Sequence, residues 1–163
     1  YSTVERFNNM EINDILKSFS EKINITVEPS DDGVYTFEVD EMIISFHILP
    51  ELDSIVLTGD IGEPPPENLE NLYKVILEAQ YLFNGTAGAT ISLNAENNRF
   101  SLCKALSCKI MDGDSLYEEA EHFVNTLEVW AKLVKDYRGV ASKAEEVKAD
   151  DAPQFDANSF IRA

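Results

Sequence analysis

Two histidines, two cysteines and one acidic run are the residues of this chain whose types could do chemistry. His47 lies in an alternating apolar stretch and His122 beside a helical apolar stripe, and neither has a Ser, Cys or carboxylate spaced as a nucleophile motif requires. Both read as structural or solvated. Cys103 and Cys108 are too few for a disulfide framework and lack the paired spacing of a zinc site, so both read as reduced thiols. Asp112-Gly113-Asp114-Ser115 opens like a calcium loop but lacks a ligand at every second position and the closing bidentate Glu, which leaves a turn and a helix cap. Asn84-Gly85-Thr86-Ala87-Gly88 has no Lys and follows a helix where a phosphate-binding loop follows a strand, so it reads as a tight connection. No catalytic, cofactor-binding or metal site is expected, and an enzyme is not the first reading.

Asn24-Ile25-Thr26 and Asn84-Gly85-Thr86 match the glycosylation sequon, but no export signal is visible to give them weight. The stretch Tyr1–Asn9 lacks a basic segment followed by an apolar one, and the longest nearly unbroken apolar run, Met42–Leu49, is interrupted by Ser45 and His47. That is far short of the ~20 residues that span a bilayer, so a cytosolic protein is expected. The net charge of −17 over 163 residues repels phosphate backbones and anionic lipid, which argues against nucleic-acid and membrane partners. With 44% hydrophobic and 26% charged residues the composition is that of a globular protein, and the length suggests one core.

The elements follow from hydrophobic period. Asn8, Glu11 and the Phe7/Ile12 pair have the pattern of a helix start, and Ile12, Ile15, Leu16, Phe19 and Ile23 recur at helical spacing. Ile25 and Val27 hint at a short strand before the turn residues Pro29–Gly33. Tyr35, Phe37 and Val39 alternate, Asp40-Glu41 turns, and Met42, Ile44, Phe46 and Ile48 share one face, which predicts a hairpin followed by a third strand at Ser54–Ile61. Pro64–Pro66 leads into a helix over Asn68–Phe83 whose apolar residues cover roughly three quarters of its circumference. Either that helix is central in a monomer or its second face buries against another subunit.

Ile91 and Leu93 form a strand, and Phe100, Leu102 and Leu106 return after a polar turn. Ser115 with Glu118 makes a capping box for a last helix through Leu116, Ala120, Phe123, Leu127, Trp130, Val134 and Tyr137, which Gly139 is placed to stop. Residues 1–138 thus read as one α+β domain of order α-β-β-β-α-β-β-α, with three helices and a twisted antiparallel sheet. Residues 139–163, rich in Ala, Lys, Glu and Asp, read as an acidic, disordered tail.

The run from Leu77 to Leu102, with its helix end, small residues at Gly85–Ala89, short strand, polar turn and second strand, resembles class I type III secretion chaperones of the Tir-chaperone (CesT-like) family. The final amphipathic helix bearing Trp130 fits the same family. The resemblance spans roughly residues 8–138 and implies a homodimer in the bacterial cytosol that needs no cofactor. Such a protein holds the unfolded N-terminal region of an effector ready for export, with the secretion-system ATPase as a further partner. It implies effector contacts at Ile12, Leu16, Phe19, Ile44, Phe46 and Ile48. Phe46 and Ile48 are expected to be partly exposed. It also implies a dimer interface at Leu72, Val75, Ile76, Ala79, Leu82, Ile91 and Leu93. An adaptor for a folded partner and a small-ligand domain are the competing readings.

Overall fold

The computed structural model describes residues 3–143, and the side chains of residues 12–137. The elements run α1 (Thr3–Ile23), β1 (Val34–Val39), β2 (Met42–Leu49), β3 (Ser54–Gly62), α2 (Leu69–Gln80), β4 (Thr90–Asn94), β5 (Arg99–Ser107) and α3 (Gly113–Lys143). Single 3-10 turns at Pro50–Leu52, Tyr81–Phe83 and Cys108–Ile110 sit between them. The five strands form one antiparallel sheet of order β1-β2-β3-β5-β4, which is the expected α+β arrangement.

Where the length suggests a single core, the chain divides into two compact units. The first takes the residues up to Gly59 with Cys103–Asn125, and the second takes Asp60–Leu102 with the residues from Thr126 on. β3, β5 and α3 each continue from one unit into the other.

In the first unit the hairpin forms as the alternation demands. Val39 pairs with Met42, and Asp40 and Glu41 between them both take left-handed backbone (φ 49° and 67°), the geometry that matches the twist of a two-residue hairpin. The register sets Phe37 opposite Ile44, on the face that α1 covers with Phe19. No strand forms at Ile25 and Val27. Only an isolated bridge joins Pro29 to Tyr35, and Ile25 stays exposed.

Three expected boundaries move. α1 begins at Thr3 rather than at Asn8, because Asn8 and Asn9 each cost well under about 1 kcal/mol inside a helix that its apolar stripe already holds in place. α3 runs through Gly139 to Lys143, since a glycine inside a long helix costs only about 1 kcal/mol. The cap of α3 is Asp112, whose Oδ1 accepts from the Ser115 N–H at 2.8 Å and from its hydroxyl at 2.7 Å, so the Ser115/Glu118 box is not the cap. The tail reading for 144–163 lies outside the described residues.

Candidate functional site

Of the chemistry-bearing residues, His47, Asp112 and Asp114 have structural partners. His47 Nε2 lies 3.0 Å from Thr58 Oγ1 across the β2/β3 pair, and His122 is exposed on α3. Both cysteines are free and half-buried, and burial, with the Asp53 carboxylate adding to it, pushes the Cys108 thiol up. Asp112 caps α3, and Asp114 accepts from Lys22 at 2.7 Å, so the calcium-like run is spent on helix termination and an ion pair. Among the described residues no group of three or more His, Cys, Asp or Glu is arranged to hold a metal. What the molecule offers instead is surface.

In the first unit, Phe19, Phe37 and Phe46 form a closed aromatic triad with ring centroids 5.1–5.5 Å apart. Of the six residues expected to touch a client, Ile12, Leu16, Phe19, Ile44 and Phe46 are at most 3% exposed, and only Ile48 is half-buried. The expectation that Phe46 is partly exposed fails, because strand alternation identifies a face but not its depth. The open feature nearby is backbone. Among the described residues β1 pairs with β2 alone, apart from the bridge at Tyr35, so the edge from Thr36 to Val39 faces no other strand. Unpaired N–H and C=O groups on such an edge are a template for an added strand.

The second unit carries an apolar surface. On α2, Leu72, Ile76 and Ala79 are buried and Val75 is half-buried, while Tyr73 and Leu77 point outward. The following turn exposes Tyr81 (70%), Leu82 (72%) and Phe83 (53%), and β4 adds Leu93 (44%) while its Ile91 is buried. Of the seven expected interface residues, Leu82 and Leu93 are therefore exposed, and Leu72, Ile76, Ala79 and Ile91 fill the chain's own core. Tyr73, Leu77, Tyr81 and Phe83 are the exposed members that the list omits. Their signal was the excess apolar width of α2, which shows that a second face exists without showing which side the core takes.

Beyond α2, whose outer face carries Glu70, Lys74 and Glu78, the surface has no charged residue. From Ala79 to Ala95 the sequence contains no Asp, Glu, Lys or Arg, its longest such run. The turn within it is built tightly. The Gly85 N–H donates to the Ala79 carbonyl at 2.8 Å, Trp130 Nε1 donates to the Gly85 carbonyl at 2.9 Å, and the Ile91 N–H donates to Gln80 Oε1 at 2.8 Å. Leu82 and Phe83 take left-handed backbone (φ 53° and 58°), which costs a residue with a side chain roughly 1–2 kcal/mol each. At the neighbouring turn, Arg99 is clamped by Asp60 at 2.9 Å through Nε and by Glu63 at 3.2 Å, and these carboxylates raise its pKa further.

The chain is thus a three-helix α+β fold with an open sheet edge at β1 and an exposed apolar turn after α2. The model of the Tir chaperone protein (CesT) family matches residues 14–131, and the chain belongs to that family. No curated protein matches it by sequence. Among solved structures, the fold is similar to that in the HopA1–SchA chaperone–effector complex (TM-score 0.63, 15% identity, covering 77% of this chain and 97% of that one). It is similar also to that in the ExsC–ExsE complex (TM-score 0.63, 12% identity, 82% and 97% covered). A third likeness is to the heterodimeric ExoU–SpcU complex of the Pseudomonas aeruginosa type III secretion system (TM-score 0.57, 15% identity, 72% and 93% covered).

Proposed function

We propose that this chain is a type III secretion chaperone of the cytosol that binds the N-terminal region of an effector in extended form. It keeps that region soluble and hands it to the secretion machinery, including its ATPase. The observation that carries the reading is the family match over residues 14–131, which spans most of both compact units. The open edge of β1 supports it physically, because an extended client can add backbone hydrogen bonds along it. Ile48 is the member of the expected contact set with side-chain area to offer, and the buried five hold the edge in place. Nothing in this mode of binding needs nucleotide or metal, and no catalytic step is part of it.

The working form in this reading is a homodimer. A chain of net charge −17 repels its own copies, and the apolar turn after α2 with β4, within the uncharged run Ala79–Ala95, is where two copies meet with less repulsion.

The test is co-purification of the native complex, identification of the bound protein, and hydrogen exchange on its bound region. An N-terminal segment that exchanges as unfolded chain when free and is protected when bound is the expected result. A bound region that is already folded on its own overturns the chaperone reading in favour of an adaptor.

A further inference from the structure

The two 3-10 turns of the first unit, Pro50–Leu52 and Cys108–Ile110, are fastened to each other through Asp53. The Cys108 N–H donates to the Asp53 carbonyl at 2.7 Å, and Lys109 Nζ lies 3.1 Å from Asp53 Oδ2. The Asp53 N–H donates to the Pro50 carbonyl at 3.2 Å, and the Ser54 hydroxyl donates to the Leu52 carbonyl at 2.8 Å. Both turns are therefore fixed. Each ends on a large apolar side chain held in water. Leu52 is 69% exposed and Ile110 86%, the highest value of any large apolar residue among those described, and Leu49 and Pro50 are exposed beside Leu52. Side chains displayed on a rigid backbone lose little freedom when they are covered, which suits them as contact points.

Charge decides what covers them. Of the acidic residues on and next to the two turns, Asp53 pairs with Lys109 and Asp114 with Lys22, whereas Glu51 and Asp112 have no ion-pair partner among the described residues. Both of these carboxylates are exposed. The two turns thus combine exposed aliphatic side chains with uncompensated negative charge. A second copy of this chain, at net charge −17, brings more negative charge to them, and so does the segment 144–163, which has five acidic residues against two basic ones. Anionic lipid is repelled in the same way. A segment with Lys or Arg set between aliphatic residues meets both features at once.

We propose that the paired turns Pro50–Leu52 and Cys108–Ile110 form a docking site for a basic, aliphatic segment of a partner protein distinct from the effector. Leu52 and Ile110 are its contact points, and Glu51 and Asp112 are its charge partners. Neither the open edge of β1 nor the apolar turn after α2 contributes a residue to it. The site is small, which fits a contact that forms and releases rather than a permanent interface. It stands whether or not the chain also holds an effector.

The experiment is fluorescence anisotropy with the full chain and a short labelled probe peptide of Leu and Lys in helical repeat, at about 0.15 M ionic strength. Micromolar binding is expected. Leu52→Ser combined with Ile110→Ser is expected to weaken it at least about ten-fold with an unchanged thermal melt, since both side chains lie in solvent. Glu51→Gln leaves both apolar residues in place, is expected to weaken binding about three-fold, and covers the case where the double variant fails to fold. Ile43→Ser removes another exposed apolar residue that lies among carboxylates, Glu38 and Glu41, and is expected to change nothing. No binding by the unmodified chain, equal binding by the double variant, or an equal loss at Ile43→Ser overturns the site. Equal binding of a probe with Glu in place of Lys overturns it too, because charge then selects nothing. The effector region recovered with the native complex is expected to bind the double variant as it binds the unmodified chain, and a matching loss there would make the turns part of the client surface and overturn a separate site.

Discussion

Trp130 Nε1 donates to the Gly85 carbonyl at 2.9 Å, so the last helix holds the turn that leads from α2 to β4. The indole is 4% exposed, and a buried Trp needs a partner for its one polar hydrogen. Trp130→Phe keeps an aromatic ring but leaves the Gly85 carbonyl without that donor, so a loss of about 1–3 kcal/mol is expected in urea denaturation. Amide hydrogen exchange should rise first across Thr86–Ala89.

Gly85 is constrained from the other side as well. A Cβ there would stand 2.7 Å from the Ala79 Cβ, closer than carbon atoms approach, and a tight 3.2 Å from its Cα. Gly85→Ala is expected to destabilise by roughly 1–3 kcal/mol through this overlap. In an Ala79→Gly background, where the nearest atom is gone, the same change should cost measurably less, and a double-mutant cycle on unfolding midpoints reads the difference.

The turn also explains which parts of the molecule were legible in the sequence. Asp40-Glu41 and the α3 stripe from Leu116 to Val134 were readable because turn chemistry and period are local, and the Phe100/Leu102/Leu106 alternation marked β5 for the same reason. The left-handed backbone at Leu82 and Phe83 was not, because local propensity opposes it for residues with a side chain. Depth was hidden too. Phe46 and Ile48 share a strand face in the sequence, yet the Phe19/Phe37 rings enclose Phe46 completely and leave Ile48 half-buried. The cap of α3 was ambiguous because Asp112/Ser115 and Ser115/Glu118 have the same three-residue spacing, and only geometry decides between them.

That difference in depth decides how client binding can be probed. Phe46 is 0% exposed within the aromatic triad, and Phe46→Ala is expected to cost about 3–5 kcal/mol, so loss of binding in that variant reports unfolding. Ile43, on the same strand but the opposite face, is 59% exposed, and Ile43→Asp, which sets a second carboxylate opposite Glu38, should cost only about 1 kcal/mol. Thermal melts of the two variants side by side check both figures.

Thr86 carries a cost that can be removed. It is 0% exposed, and among the described residues its hydroxyl has no hydrogen-bond partner, while its backbone N–H is satisfied by the Phe83 carbonyl. Thr86→Val keeps the branched shape and deletes the orphaned hydroxyl. The expected result is a gain of about 1 kcal/mol, read as a higher urea midpoint at unchanged slope. A loss of similar size would mean that the hydroxyl is hydrogen-bonded in solution.

The Asp112 cap makes the start of α3 sensitive to acid. Its carboxylate accepts from the Ser115 backbone N–H at 2.8 Å and from the Ser115 hydroxyl at 2.7 Å, and these bonds hold its pKa below the ordinary Asp value. Because the folded-state pKa is the lower one, the cap's contribution is complete above the unfolded value of about 3.9 and is lost as pH falls through the folded value. Asp112→Asn retains an acceptor oxygen but cannot titrate, so the stability difference between the unmodified protein and this variant should shrink steadily below about pH 4. Asp112→Ala removes the acceptor and should lose the cap at every pH. Carboxyl-carbon NMR titration tests the premise directly: Asp112 should titrate below the model-peptide value, and a midpoint at or above that value would show that the cap does not hold in solution.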